Sequence, residues 1–288
     1  MKVTIRPALV AATVVLGASA PWALASPPAP LAQATQPAKS SPQLAQAGAT
    51  AVQRAQTAAA TTHEGRGVAI GQGEARTIVR TDDQGRVAAI GVVMTPGTLE
   101  GLPETPSDGA HFVTYALPMP AGAPQTVVDH VEINWEPHGH PPSGVYDIPH
   151  FDFHIYVVSE DEQRRVSFDS DQDSARPEQQ PAAELLAAGY AVPPGTAVPQ
   201  MGVHAIDRSG PEFNGQPFTA TFIYGYYDGR LTFVEPMASL DFLKTKPSFS
   251  APVARPAAYS VAGLYPSAYT VKYDPARDVY EITLDELR

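Results

Sequence analysis

The chain of 288 residues contains no cysteine. Without thiols, the protein has no disulfide scaffold, no cysteine-ligated zinc finger or iron–sulfur cluster, no thiol nucleophile and no lipid-modified cysteine anchor. Basic residues are also few, since 19 lysines and arginines stand against 30 acidic residues and give a net charge of −11. This balance argues against a nucleic-acid-binding protein, which needs a basic surface. No nucleotide or organic cofactor is expected, because the glycine-rich stretch at residues 65–73 lacks the lysine and helix of a phosphate-binding loop.

Proline is abundant, with 30 residues in the chain. Because proline interrupts helix interiors, a helical bundle is excluded. Three pairs of β-branched or aromatic segments flank short turn sequences at residues 82–85, 228–229 and 274–277, the pattern of β-hairpins. One helix is predicted, over residues 181–188 between Pro181 and Gly189. The sequence therefore predicts an all-β fold with minor α content, a β-sandwich or barrel-like single domain.

The N-terminal part differs from the rest of the chain. Residues 1–25 have a basic start, a short apolar run and an A-x-A site before Ser26, which predict a secretory signal peptide. Residues 26–62 are rich in proline, alanine and glutamine and predict a disordered linker, which leaves residues 63–288 as a β-rich domain. We therefore expect a periplasmic or secreted protein without integral membrane anchoring, because no other segment approaches the roughly 18 apolar residues of a membrane helix.

Histidine carries the chemistry that can be read from the sequence. Four of the eight histidines lie within 17 residues, at His138, His140, His150 and His154. On a strand, residues i and i+2 share a face about 6.6–6.8 Å apart, so Asp152 can bind one ion together with His150 or with His154. His138 or His140 from the preceding loop would add a ligand.

A metal site on a β scaffold also needs a ligand from a distant strand, and His204 and Glu235 are the candidates. The predicted ion is divalent, with zinc favoured over copper, although Met201 and Met237 could supply soft thioether ligands for copper. The alternative is that the histidines form the polar face of a half-buried strand and bind no ion.

Four sequence motifs carry a resemblance to a known family. They are Trp135-x-Pro137-x-Gly139-His140-Pro141, Pro149-His150-Phe151-Asp152-Phe153-His154 with Tyr146 before it, Met201-Gly202-x-His204, and Phe233-x-Glu235-Pro236-Met237. The chain resembles an uncharacterised family of exported bacterial proteins, a domain of unknown function with a member from Thermus. The resemblance covers residues 67–287. It implies one β-rich domain in an exported bacterial protein and assigns no reaction.

Two functions remain open at this point. The first is a ligand-binding or structural protein of the cell envelope, whose partner is a small molecule or a second copy of the chain and which carries the His-rich divalent-metal site. The second is a metal-dependent hydrolase or oxidoreductase that uses His140, His154 and His204, in which the ion would polarise an oxygen or activate water. The sequence does not decide whether the protein is an enzyme.

Overall fold

The computed structural model describes residues 60–106 and 111–288, and these residues belong to one compact unit. The predicted signal peptide and all but the last three residues of the predicted linker lie outside the described residues. In the described part of the chain, no helix is long and apolar enough to cross a membrane.

Two antiparallel sheets make up most of the described structure. The first has the strand order β1-β3-β4-β15-β14-β13, with β2 also paired to β3, and the second has the order β5-β6-β7-β12-β11-β10-β8, with β9 also paired to β10. The strands of the first sheet are β1 (Thr61–Glu64), β2 (Val68–Ile70), β3 (Gly73–Thr81), β4 (Val87–Met94), β13 (Ser248–Pro252), β14 (Ala268–Asp274) and β15 (Val279–Asp285). Those of the second are β5 (Val113–Leu117), β6 (His130–Glu136), β7 (His150–Tyr156), β8 (Tyr190–Ala191), β9 (Ala197–Val198), β10 (Gly202–Asp207), β11 (Ala220–Tyr227) and β12 (Arg230–Ser239).

The two sheets pack face to face around one apolar core. Strand alternation explains this arrangement, because every second residue of a strand points to the same face. Val131, Ile133 and Trp135 of β6 and Phe151 and Phe153 of β7 are buried in that core, together with apolar side chains of the first sheet. The all-β, sandwich-like prediction with minor α content is therefore confirmed.

The three predicted hairpins are confirmed. Strand β3 pairs with β4, β11 with β12, and β14 with β15, each antiparallel. Strand β1 begins at Thr61, two residues before the predicted start of the domain. Strand β12 continues through Pro236 to Ser239, although proline cannot donate a ladder hydrogen bond.

The predicted helix over residues 181–188 is wrong. Only a 3₁₀ turn at Ala183–Leu185 forms there. A helix of eight residues is too short to be stable by itself, and tertiary hydrogen bonds use its carbonyls instead. The hydroxyl of Tyr226 donates to the carbonyl of Leu185 at 2.6 Å, and the amide of Ala258 donates to that of Glu184 at 2.8 Å.

Helical structure is otherwise limited to short segments of the described chain. The α-helices are α1 (Glu160–Gln163) and α2 (Leu240–Lys244), and the further 3₁₀ turns are Pro96–Leu99, Asp171–Ala175, Pro177–Gln179 and Pro211–Asn214. Each α-helix starts at a serine N-cap, where Ser159 accepts from the amide of Glu162 and Ser239 accepts from that of Phe242. Neither helix carries a residue predicted for the site.

Candidate metal centre

The outer face of the second sheet carries the predicted ligands. His150, Asp152 and His154 alternate along β7 with the core residues Phe151 and Phe153, so all three point away from the core. Antiparallel pairing places Glu136 of β6 opposite His150. The predicted spacing of these side chains along one strand face is therefore realised.

Two further ligands come from strands on the other side of β7. Glu235 lies on β12, which pairs with β7 through Val234–Ile155 and Met237–Asp152 and leaves Glu235 and Pro236 without a partner on β7. His204 lies on β10, with Gly225 of β11 as its cross-strand partner. These contacts bring residues far apart in the sequence to one face of one sheet.

Glycine at position 225 is needed for the ring of Phe233 to lie beside His204 and His154. A Cβ at Gly225 would lie 2.1 Å from the ring of Phe233. That ring lies over β11 and contacts both His204 and His154, with centroid distances of 5.2 and 4.7 Å. The small residue in β11 therefore lets the two imidazoles pack against the same aromatic ring.

The loop between β6 and β7 supplies His140. Gly139 has a φ of +69°, and a Cβ there would lie 2.0 Å from the carbonyl oxygen of Tyr146. Glycine adopts this conformation without strain, and it allows the amide of His140 to donate to the same Tyr146 carbonyl at 3.2 Å. The loop thereby folds back and carries His140 towards Asp152.

The ligand atoms fall into two groups of three. In each group, one atom from every residue lies within 4.8 Å of the others, and the groups are His140, His150 and Asp152, and His154, His204 and Glu235. The predicted trio of His140, His154 and His204 is thus divided between the two groups. His138 is exposed and, within the described residues, belongs to neither group.

A cavity of about 440 Å³ connects the two groups. Its walls are largely apolar and include Phe112, Met201, Ile206 and Ile223. The charged and imidazole side chains that line it are His111, Glu136, His140, Asp152, His154, Asp171, His204 and Glu235. An apolar cavity with a few converging polar groups is the usual form of a small-molecule site.

Interatomic distances in the group on β7, β10 and β12 suit a shared ion. His154 Nε2 lies 3.7 Å from Glu235 Oε1, and His204 Nε2 lies 3.9 Å from Glu235 Oε2. Both distances are too long for hydrogen bonds. Two ligand atoms on one tetrahedral zinc ion lie about 3.4 Å apart, because each bond is about 2.0–2.2 Å long.

Several buried polar atoms of the site make no hydrogen bond with the described residues. They include both ring nitrogens of His154, Glu235 Oε2, Glu136 Oε2, His150 Nε2 and Asp152 Oδ1. His130, on the same sheet face, differs, because its ring nitrogens lie 3.0 Å from Asp129 Oδ1 and 2.9 Å from Gln163 Oε1. Unpartnered buried polar atoms cost stability, so their concentration here indicates a binding function.

The tautomers of three histidines are fixed by backbone carbonyls. His204 Nδ1 donates to the carbonyl of Thr196 at 2.9 Å, His140 Nδ1 to that of Pro141 at 2.7 Å, and His150 Nδ1 to that of Ile148 at 2.6 Å. A carbonyl can only accept, so Nδ1 carries the proton and Nε2 keeps its lone pair when the ring is neutral. Metal-binding histidines are oriented in this way.

Burial sets the protonation state of the group on β7, β10 and β12. Desolvation lowers the pKa of His154 to about 3 and that of His204 to about 4, so both imidazoles are neutral at pH 7. Desolvation, together with the charges of Asp152 and Glu136, raises the pKa of Glu235 well above its usual range. Neutral imidazoles are metal ligands, whereas imidazolium ions are not.

The other group has a different charge distribution. Burial disfavours the charged forms of both Asp152 and His140. The histidines nevertheless hold the pKa of Asp152 well below its usual range, and Asp152 raises the pKa of His140 to about 9. Desolvation and the charge of Asp152 raise the pKa of Glu136 to about 8. Sequence reasoning missed Glu136, although it extends the alternation of β6 and directly precedes the His138–His140 motif.

Comparison with known proteins gives one result. The model of a family described as "TTHB210-like: Hypothetical protein TTHB210" matches residues 82–135. This similarity supports the resemblance to an uncharacterised family with a Thermus member. The matched region ends before Glu136 and therefore includes none of the ligand candidates. No curated protein and no solved structure matches the chain.

Proposed function

We propose that this protein is an exported bacterial metal-binding protein that holds one divalent ion, zinc by preference, through His154, His204 and Glu235. The observation that carries the proposal is the geometry of this triad. Its atoms have the spacing of ligands on one ion, and three of them are buried without a hydrogen-bond partner among the described residues. Two imidazoles and a carboxylate are a common ligand set of zinc sites that keep a fourth position open.

The rigidity of the triad favours a preformed site. All three ligands are on strands of one sheet, and His204 is fixed by the carbonyl of Thr196. His154 and Glu235 have side chains that are 1% exposed. Ligands held by packing in this way need little reordering when the ion binds.

The cavity next to the triad supports a role in binding a small molecule. Its volume of about 440 Å³ is in the range of small-molecule sites, and its walls are mostly apolar. An ion at the triad would present its open position to this space. The expected ligand is a compact molecule with an apolar body and one metal-coordinating oxygen or nitrogen.

A second candidate function is that of a metal-dependent hydrolase, and Glu136 is the observation that favours it. This carboxylate is buried, lines the cavity, and has one oxygen without a hydrogen-bond partner among the described residues. The charge of a bound ion would favour the ionised form of Glu136, which would then accept a proton from metal-bound water. Zinc-loaded protein should then hydrolyse a small apolar ester, and Glu136→Gln should abolish that activity while zinc remains bound.

Metal analysis of the purified full chain tests the main proposal. We expect zinc bound to the wild-type protein and its loss from His154→Ala. The matched control is His138→Ala, which removes an exposed histidine that belongs to neither group and should keep the zinc content unchanged. A wild-type protein that binds no divalent ion even after zinc is added would refute the proposal.

Export is tested separately, on the native host or a bacterial expression strain. The A-x-A site before Ser26 predicts that the exported form begins at Ser26. Mass spectrometry of the periplasmic and secreted fractions gives the mass of the exported chain and therefore its first residue. Recovery of chains that begin at Met1, from the cytoplasm only, would show that the protein is not exported.

A further inference from the structure

The group formed by His140, His150 and Asp152 has ligand geometry of its own. His150 Nε2 lies 3.1 Å from Asp152 Oδ1, and His140 Nε2 lies 3.7 Å from Asp152 Oδ2. His150 Nε2 and Asp152 Oδ1 are buried, and neither makes a hydrogen bond with the described residues. Each carboxylate oxygen of Asp152 therefore faces an imidazole Nε2, and Oδ1 makes no hydrogen bond with the described residues.

Both imidazoles of this group are oriented for coordination. The Nδ1 atoms of His140 and His150 donate to backbone carbonyls, so Nε2 of each ring is directed at Asp152. The rings pack edge to face, with centroids 4.8 Å apart. Two fixed imidazoles and one carboxylate repeat the ligand set of the triad on β7, β10 and β12.

Strand β7 holds the two groups side by side. Its alternate residues His150, Asp152 and His154 are successive on one face, about 6.6–6.8 Å apart from one to the next. Asp152 and His154 line the same cavity. The charge of Asp152 also acts on His154 and on Glu235, so the groups are electrostatically linked.

The charge of the cavity also favours more than one ion. Glu136, Asp152 and Glu235 are at most 4% exposed. Among the described residues that line the cavity, none is lysine or arginine. Buried carboxylates favour a bound cation, and Asp152 in one group and Glu235 in the other each offer a carboxylate to an ion.

We propose that the cavity is a two-ion centre, in which His140, His150 and Asp152 bind a second divalent ion beside the ion of the triad. This inference rests on the proposed function and deepens it. The second ion binds more weakly, because His140 lies on a loop and its side chain is 28% exposed, whereas the triad is on strands. Two ions in one cavity fit an oxyanionic ligand, such as a carboxylate or phosphate ester, that bridges them.

Zinc titration of the metal-free full chain tests the proposal. Calorimetry should give two equivalents for the wild-type protein, with at least a tenfold difference between the two dissociation constants. His140→Ala should lose the weaker equivalent and keep the tighter one, and Asp152→Asn, which preserves the shape of the side chain, should do the same. His204→Ala should lose the tighter one. His138→Ala, in the same loop as His140, should bind two equivalents.

Different results separate this inference from the proposed function. One equivalent in the wild-type protein that survives His140→Ala and is lost in His204→Ala would overturn the second ion and leave the triad as the metal site. One equivalent lost in His140→Ala and kept in His204→Ala would refute the triad. A wild-type protein that binds no zinc would refute both. Circular dichroism of each variant verifies that the sheet is intact.

Discussion

The two sheets bury a carboxylate on their outer faces in opposite ways. Glu281 of β15 and Glu235 of β12 each have a side chain that is 1% exposed. Glu281 is surrounded by cations, since Arg277 Nη1 lies 2.6 Å from Oε1, Lys272 Nζ lies 3.0 Å from Oε2, and Arg80 also contacts Oε1. Glu235 faces the imidazoles of His154 and His204 instead.

The pKa values follow these surroundings. Desolvation opposes ionisation of Glu281, but Arg80 and Lys272 outweigh it and lower its pKa. At Glu235 desolvation is not opposed by any such cation, and the pKa is raised. Burial alone therefore does not identify a binding site. The carboxylate whose charge the protein itself compensates is structural, whereas the one that faces only neutral imidazoles is ionised only when an external cation binds.

Zinc should stabilise the protein through Glu235 and not through Glu281. Zinc at 1,000 times its dissociation constant should raise the free energy of unfolding by about 4 kcal/mol, because the ion binds only the folded state. Urea denaturation with chelator and with zinc measures this difference. Glu235→Gln should lose this increase and keep only the smaller contribution of the weaker ion, whereas Glu281→Gln should keep both. Equal zinc stabilisation of both variants would contradict the comparison.

In the presence of chelator, Glu281→Gln should destabilise the protein more than Glu235→Gln does. Glu281→Gln should lower the free energy of unfolding by about 2 kcal/mol, because it removes the buried anion that Arg80, Lys272 and Arg277 share. Glu235→Gln should change it by less than about 0.5 kcal/mol, since the amide replaces a protonated carboxyl of the same shape. Denaturation curves of the three proteins at pH 7 give both values. A larger loss in Glu235→Gln than in Glu281→Gln would show that the triad is structural.

Acid should remove the contribution of Glu281. Its folded-state pKa is lowered from the usual 4.5, so the carboxylate stabilises the protein above pH 4.5 and loses this effect as the pH falls through the folded-state pKa. The difference between the wild type and Glu281→Gln should be constant from about pH 7 to about pH 5 and then shrink. Urea denaturation with chelator across this range measures it. A difference that grows towards low pH would contradict the ion-pair assignment.

Local patterns predicted much of the fold. The hairpin turns at residues 82–85, 228–229 and 274–277 depend on neighbouring residues only, and the structure contains each of them. The 181–188 segment also has helix signals at both ends, but hydrogen bonds from Tyr226 and Ala258 hold it in another conformation. Such partners are distant in sequence and leave no local signal.

The sequence predicted which residues belong to the candidate site better than it predicted which of them lie together in each group. Strand alternation brought His150, Asp152 and His154 to one face, as expected from their spacing. Which of them meets His140 and which meets His204 depends on the pairing of β7, β12, β11 and β10 and on the path of one loop. Neither the register between distant strands nor the course of that loop is determined by residues close in sequence.

The smallest expected effect concerns the loop that carries His140. This loop is far in sequence from the Glu281 cluster, which lies on strands and on the turn after β14. Gly139→Ala should cost about 1 kcal/mol, because alanine is strained at positive φ and its Cβ would collide with the carbonyl of Tyr146. The matched control is Gly144→Ala in the same loop, with a φ of +81° and nothing within 4 Å of the added Cβ. Both variants share the strain of alanine at positive φ, but only Gly139→Ala adds the collision, so only it should displace His140 and lose the weaker zinc equivalent in a calorimetric titration. Loss of that equivalent in both variants would mean that general loop strain, and not the position of His140, controls the second ion.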